Sequence, residues 1–212
     1  DCMKNSIRDI YLTFNHGAME FGKLHSALEK SLTVDEGVVV EFGTGRGVAG
    51  RLMMPMLHGQ WYYTVDPYAP YNKGDIDPWE SVNQHQKKGD DFYIQGKEAT
   101  LEILSELADK VGCNFKHMDM TDTAFIRESN EKFKFVYVDS DHTLDHVMKV
   151  TNLLVQLDKV VDGGVIVYDD ISCYEHDTVD FYLRKNDYAC VGRGDFKAVY
   201  IKGLDNASGF LI

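Results

Sequence analysis

Strand-like and helix-like segments alternate along most of this chain, and the alternation restricts it to a few folds. Apolar runs rich in β-branched and aromatic residues occur at 38–42, 61–65, 133–138 and 160–168, and most are followed by apolar residues at helical spacing. Repeated strand–helix units build a parallel sheet with helices on both faces. We therefore predict an α/β fold, a doubly wound and mostly parallel seven-stranded sheet.

The two ends of the chain depart from this rhythm. Apolar residues at helical spacing predict two helices within residues 1–35, which we expect to pack on the core. Near the other end, strands at 188–191 and 198–201 flank the turn 192–195 and predict an antiparallel hairpin at the sheet edge. Residues 36–212 then form one ligand-binding domain.

Residues 67–95 interrupt the alternation with three of the four prolines, two glycines and five aromatic residues. A connection of this length inside a compact domain is usually a functional loop, so we predict an insertion or lid. A solvated insertion packed on its own aromatic side chains is the alternative.

Charge and composition narrow the classes of partner. The 34 acidic and 22 basic residues give a net charge of −12, which repels a polyanion, so we expect no nucleic-acid partner. No apolar run approaches the roughly 20 residues of a membrane span, and the start shows no signal-peptide pattern, so we expect no membrane partner. Four cysteines without C-x-x-C spacing are typical of reduced thiols and predict a cytoplasmic protein.

A glycine loop follows the first strand of the predicted sheet. Its sequence is Glu41-Phe42-Gly43-Thr44-Gly45-Arg46-Gly47, and a helix begins directly after it. Glycines permit positive φ and let a ligand approach the backbone, while N–H groups at the helix start favour electron-rich ligand groups. Its position after the first strand predicts a cofactor site at the carboxyl end of the sheet.

Two acids follow the next strands. Asp66 ends the second strand, where a carboxylate accepts hydrogen bonds from ribose hydroxyls, and Asp119 follows the third, within reach of an adenine amine. Each acid alone also suits a helix cap or a turn. A dinucleotide cofactor is an alternative, but the loop lacks G-x-G-x-x-G spacing and the terminal hairpin fits a dinucleotide fold poorly.

These residues together resemble the class I S-adenosylmethionine-dependent methyltransferases, which have a Rossmann-like fold. Residues 39–47 are similar to their first motif and 64–66 to their ribose motif. Residues 135–142 and 163–170 narrow the resemblance to metal-dependent small-molecule O-methyltransferases of the macrocin and cephalosporin-hydroxylase-like groups. The resemblance covers residues 36–202 and implies S-adenosylmethionine as cofactor and a small-molecule acceptor. It implies these cofactor-binding residues: Glu41, Gly43, Thr44, Gly45, Gly47, Asp66, Asp119 and Asp139.

Three carboxylates are predicted to meet at one edge of the sheet. Asp139 ends the fourth strand, and Asp169 and Asp170 end the fifth. Like charges this close need a cation between them, and oxygen ligands suit a hard divalent ion, so we predict Mg²⁺ at this cluster. The alternative is that Asp170 caps the next helix and Asp139 contacts the cofactor with no ion bound.

The resemblance also implies a catalytic base three residues beyond Asp139. His142 occupies that place, and an imidazole suits proton removal near neutral pH. We predict His142 and Asp139 as the catalytic pair, with a structural histidine as the alternative. Asp141 is a further ligand or orienting residue, and His146, one helical turn on, is a second candidate base.

Several rival functions stay open at this point. A metal-independent N- or carboxyl-methyltransferase is one, although no [N/D]-P-P-[Y/F] motif follows the fourth strand. A non-catalytic cofactor-binding module and a nucleotide-dependent oxidoreductase are the others. A homodimer is the assembly to test.

Overall fold

The computed structural model describes residues 18–68 and 89–204, with side chains described for 22–68 and 96–204. The first predicted N-terminal helix and residues 69–88 of the predicted insertion lie outside the described residues. In chain order the described elements are α1 Ala18–Ser31, β1 Val38–Phe42, α2 Val48–Met53, β2 Trp61–Val65, α3 Gly89–Val111, β3 Asn114–Met118, α4 Asp122–Glu128, β4 Phe133–Val138, α5 Leu144–Gln156, β5 Val160–Tyr168, α6 His176–Lys185, β6 Tyr188–Arg193 and β7 Ala198–Lys202.

All seven strands join one sheet in the order β3-β2-β1-β4-β5-β7-β6. The pairs from β3 to β5 are parallel, and β7 runs antiparallel to both β5 and β6. The predicted α/β fold with a terminal antiparallel hairpin is therefore confirmed. Chain order reverses between β1 and β4, which is where open α/β sheets bind their ligands.

Backbone hydrogen bonds just beyond the strands align the predicted site residues in one row. The Gly43 amide donates to Val65 O at 2.9 Å, and the Asp139 amide donates to Phe42 O at 2.8 Å. The amides of Asp66 and Asp169 likewise donate to the last residues of β3 and β4. Four predicted site residues thus share the carboxyl edge of four neighbouring strands.

Helices cover both faces of the sheet because successive strand residues point to opposite sides. One buried cluster joins Val38, Val40 and Phe42 of β1 to α4, α5 and α6. The other joins Val39 to α1, α2 and α3, including Leu24 and Leu28 at helical spacing. The strands at the centre of the sheet are buried on both faces, as their continuous apolar runs predict.

The helices differ from the sequence prediction in three places. α3 begins at Gly89 rather than near 97, because the helix continues through Gly96 despite the low helix propensity of glycine. α2 ends at Met53, and Pro55 lies in a single 3₁₀ turn that completes the segment. The seven-residue α4 was not predicted.

No helix within 18–68 or 89–204 is long and apolar enough to cross a bilayer.

Candidate active site

The first glycine of the loop is required by the close approach of β1 and β4. Gly43 has φ +89°, and a Cβ on it would overlap the carbonyl group of Asp139 and lie 2.9 Å from Ser140 Cα. A side chain at residue 43 would therefore force the two strand ends apart. The sheet needs glycine here before any ligand is considered.

The second glycine has space around it instead. A Cβ on Gly45, at φ +48°, would meet no protein atom within 4 Å. The Gly45 amide donates to Asp66 Oδ2 at 3.0 Å, and the Tyr68 amide donates to Asp66 Oδ1 at 2.7 Å. Each Asp66 oxygen retains a second acceptor lone pair. Nearby, the buried Thr44 hydroxyl has no hydrogen-bond partner among the described residues. Because buried polar groups are usually hydrogen-bonded, we expect a ligand or a water molecule to bind this hydroxyl.

The third glycine serves helix packing. Gly47 precedes α2 with φ 68°, and a Cβ on it would lie 3.0 Å from Thr100 and 3.2 Å from Leu104 of α3. Its predicted cofactor contact stays a prediction. The described contacts explain the glycine by the close approach of two helices.

Glu41 is buried beneath the loop, at 1% exposure. The Tyr62 hydroxyl donates to Glu41 Oε2. Burial raises the pKa of Glu41 to about 8, against the lowering effect of the Tyr62 hydrogen bond and with a further rise from the charge of Asp66. Near neutral pH the carboxyl group therefore holds its proton in the folded protein.

This raised pKa predicts a stability difference between the wild type and Glu41→Gln. The unfolded chain releases the Glu41 proton above about pH 4.5 and the folded chain only near pH 8, so wild-type stability falls as pH rises through this window. Glutamine keeps an acceptor for Tyr62 and carries no charge. Between pH 6 and 9 we expect the wild type to lose about 3 kcal/mol more unfolding free energy than the variant. Urea unfolding at both pH values checks this, and parallel pH dependences would contradict it.

Asp119 lies directly after β3, and its side chain is 60% exposed. Lys97 of α3 forms an ion pair with it, with 2.5 Å between Nζ and Oδ2. The carboxylate stands one strand away from Asp66 at the same edge of the sheet. The predicted adenine contact remains a prediction, and Lys97 is a neighbour that the sequence did not reveal.

The three predicted carboxylates, Asp139, Asp169 and Asp170, lie together at the ends of β4 and β5 and form the carboxylate cluster. Strand register places Asp139 beside Asp169, since Val138 pairs with Tyr168. Burial, then the charges of Asp169 and Glu41, raise the pKa of Asp139 well above its ordinary value. Burial and the charge of Asp169 also raise the pKa of Asp170. Asp170 has a left-handed backbone, φ 47°, which is uncommon outside glycine and frequent at functional sites.

One member of the carboxylate cluster already has a cationic partner. The Lys197 ammonium forms an ion pair with Asp169 Oδ1, and the Tyr137 hydroxyl donates to Asp169 Oδ2. The Asp170 amide also donates to Asp169 Oδ1, at 2.8 Å. In the sequence, this arrangement is indicated only by a lysine directly before the predicted last strand.

His142 stands between the other two members. Its Nε2 is 3.6 Å from Asp139 Oδ1 and 3.6 Å from Asp170 Oδ2, and the side chain is 17% exposed. Both distances exceed a hydrogen bond, so the attraction is electrostatic and present when the ring is protonated. The predicted base is therefore positioned where two carboxylates stabilise the imidazolium that proton uptake creates.

His146, the second candidate base, is engaged elsewhere. Its Nε2 is 2.7 Å from Asp122 Oδ2, and the Ser140 hydroxyl donates to the same oxygen at 2.7 Å. Burial lowers the pKa of His146, but hydrogen bonding to Asp122 and its charge raise it more, so the net pKa is raised. Asp141 Oδ1 accepts the Thr143 amide at 2.8 Å. His146 and Asp141 therefore hold the turn between β4 and α5 in place.

The loop and its surroundings suit an adenosyl cofactor. Three features lie at the switch point of the sheet: a space that a Cβ on Gly45 would fill, a Thr44 hydroxyl without a partner in the described part of the chain, and the acceptor capacity of Asp66. Gly43, Thr44 and Gly45 would line the cofactor, and Asp66 would accept from its ribose.

Comparison with known protein families decides the identity. Residues 40–171 match the profile of a family described as a methyltransferase domain. The chain belongs to this methyltransferase family. The match includes the glycine loop, Asp66, Asp119 and the carboxylate cluster, so the resemblance to class I S-adenosylmethionine-dependent methyltransferases is confirmed. The chain is an enzyme of this class, and no curated protein matches it significantly in sequence.

Solved structures support the fold of this methyltransferase. The O-methyltransferase NovP is 14% identical with a TM-score of 0.64, covering 87% of this chain and 80% of its own. CalS11, a calicheamicin methyltransferase, is 14% identical with a TM-score of 0.58, and the match covers 90% of this chain and 81% of CalS11. PaMTH1 from Podospora anserina, with S-adenosylhomocysteine bound, is 12% identical with a TM-score of 0.52, and the match covers 97% of this chain and 88% of PaMTH1.

Proposed function

We propose that this methyltransferase transfers the methyl group of S-adenosylmethionine to a hydroxyl oxygen of a small molecule. The observation that carries the proposal is His142 held between Asp139 and Asp170, next to the glycine loop. A nitrogen base beside two carboxylates is equipped to take a proton from a weakly acidic hydroxyl. Amine acceptors need no such base if they bind in their neutral form.

Each chain residue has a defined task in this proposal. Gly45 leaves room for the cofactor, Gly43 lets the loop backbone pass close to the end of β4, and Asp66 would accept hydrogen bonds from the ribose. The bound cofactor supplies an electrophilic methyl group on a sulfonium. His142 Nε2 would take the proton that the acceptor hydroxyl loses when its oxygen receives the methyl group. Asp139 and Asp170 stabilise the resulting imidazolium.

The proposed acceptor class is based on solved structures with a similar fold and on the residues of the site. CalS11 is described as a TDP-rhamnose 3'-O-methyltransferase, and NovP as an O-methyltransferase. A sugar or phenolic hydroxyl suits the ends of β4 and β5, where carboxylates and a half-buried imidazole lie together. The net charge of −12 disfavours nucleic acid as an acceptor.

The predicted Mg²⁺ fits the described residues only in part. Asp139 and Asp170 offer hard oxygen donors, whereas Asp169 is already bonded to Lys197, Tyr137 and the Asp170 amide. No group of three or more His, Cys, Asp or Glu side chains among residues 22–68 and 96–204 is arranged around a common ion position. The three-aspartate centre therefore does not fit this arrangement, and no step above depends on it.

Methyl transfer to a panel of hydroxylated acceptors tests the proposal. We expect product of one added methyl group on oxygen, located by mass spectrometry and NMR, with nucleotide sugars, free glycosides and catechols as acceptors. An amine and a carboxylate analogue of each active acceptor serve as matched controls. Methylation of the nitrogen or carboxylate analogue in preference to the hydroxyl compound would refute O-methylation, and so would the absence of product with every acceptor while S-adenosylhomocysteine binds.

A further inference from the structure

The turn between β6 and β7 delivers a buried lysine to the carboxylate cluster. Lys197 is 4% exposed and directly precedes β7, whose first residue Ala198 pairs with Tyr168 at the end of β5. Because β5 and β7 run antiparallel, the residue before Ala198 lies opposite the residue after Tyr168, which is Asp169. The ion pair between Lys197 and Asp169 is therefore fixed by strand register.

Asp169 has little acceptor capacity left for another cation. Its Oδ1 receives the Lys197 ammonium and the Asp170 amide, and its Oδ2 receives the Tyr137 hydroxyl. A carboxylate oxygen has two lone pairs, so Oδ1 is saturated. The ammonium also lies 5.5 Å from the centre of the Tyr137 ring, which favours a cation at this place.

We propose that Lys197 is the resident cation of the carboxylate cluster and takes the place of a divalent ion at Asp169. A buried lysine persists as a cation only when it is paired, so Lys197 and Asp169 hold each other in place. A divalent ion nearby would be repelled by the ammonium, and the described part of the cluster would offer it only Asp139 and Asp170 as protein carboxylates. The wild type therefore binds divalent ions weakly and transfers methyl groups without them.

The inference rests on the proposed function only in placing the acceptor hydroxyl at this cluster. Its consequence for metal binding is measured directly and needs no turnover. Failure of O-methylation would leave the metal-binding result intact, and failure of the metal-binding result would leave O-methylation intact.

The test is titration of the protein with Mn²⁺, followed by electron paramagnetic resonance of the free ion. The wild type is expected to show no saturable site tighter than about 1 mM, the weak end of carboxylate sites. Lys197→Gln removes the ammonium and, with a side chain one atom shorter, vacates the place of Lys197 at Asp169 Oδ1. We expect this variant to bind one Mn²⁺ at least about tenfold more tightly, because a third carboxylate becomes available. Lys197→Arg keeps the charge and is expected to match the wild type.

Lys202→Gln is the matched control, since Lys202 is a β7 lysine paired with Asp158 and Asp162 outside the cluster. It is expected to bind Mn²⁺ as weakly as the wild type. Near-UV circular dichroism checks the fold of each variant, and the wild-type and Lys197→Arg titrations decide the matter if Lys197→Gln does not fold. A saturable wild-type site tighter than about 1 mM, or loss of wild-type methyl transfer in chelator, would overturn the proposal. Equal Mn²⁺ affinity in folded Lys197→Gln and wild type would overturn it as well.

Discussion

Gly43→Ala is expected to abolish binding of S-adenosylhomocysteine and to lower the stability of the fold. The new Cβ would overlap the Asp139 carbonyl, and at φ +89° any side chain is strained. The ends of β1 and β4 must separate to admit it, which disrupts the loop that lines the cofactor. We expect at least about a hundredfold loss of affinity and a loss of roughly 3 kcal/mol of unfolding free energy. Calorimetric titration and urea unfolding measure the two effects.

Two other glycines separate the causes of this effect. Gly59→Ala has a similar φ, +72°, with no atom within 4 Å of the new Cβ, so it measures backbone strain alone at about 1–2 kcal/mol and leaves affinity unchanged. Gly45→Ala also meets no protein atom, and its new methyl group would occupy the space assigned to the cofactor. Gly45→Ala should weaken binding of S-adenosylhomocysteine and lose little more unfolding free energy than Gly59→Ala does. Wild-type affinity in Gly45→Ala would place the cofactor elsewhere.

His142→Ala is expected to reduce kcat by about 10²–10⁴ while S-adenosylhomocysteine affinity changes less than about threefold. The imidazole is the only nitrogen base that the described side chains place between Asp139 and Asp170. Its loss removes the proton acceptor but no group that lines the glycine loop. Single-turnover methyl transfer to an active acceptor, with the variant saturated in both substrates, measures the effect.

His146→Ala is the comparison that distinguishes the two histidines. Removing His146 leaves Asp122, which is 4% exposed, without its ionic partner, so we expect roughly 2 kcal/mol of lost stability. Turnover of the folded fraction should stay within about tenfold of the wild type. A larger kcat loss in His146→Ala than in His142→Ala would exchange their roles.

The sheet could be predicted from sequence because its central strands are buried on both faces. The bounds of β1 and β2 follow from continuous runs such as Val38–Phe42, in which no polar alternation blurs the ends. The hairpin followed from its turn residues. α4 was missed because seven residues are too few to display a helical period, and the start of α3 was displaced by Gly96.

The candidate site was predictable as far as strand ends allow. Asp139 and Asp169 could be placed together because parallel strands bring their carboxyl ends to one edge. Lys197 could not be added, since its position opposite Asp169 depends on the antiparallel register of β7. The pairing of His146 with Asp122 depends likewise on how α4 and α5 pack. The same sequence motifs therefore predicted the acids and not their partners.

The cofactor site at the switch point is tested most directly by calorimetric titration of the wild type with S-adenosylhomocysteine. One molecule is expected to bind per chain, with an affinity that Gly45→Ala weakens and Gly59→Ala leaves intact. The account would be contradicted if neither S-adenosylmethionine nor S-adenosylhomocysteine, at saturating concentration and at two temperatures, gave any heat of binding.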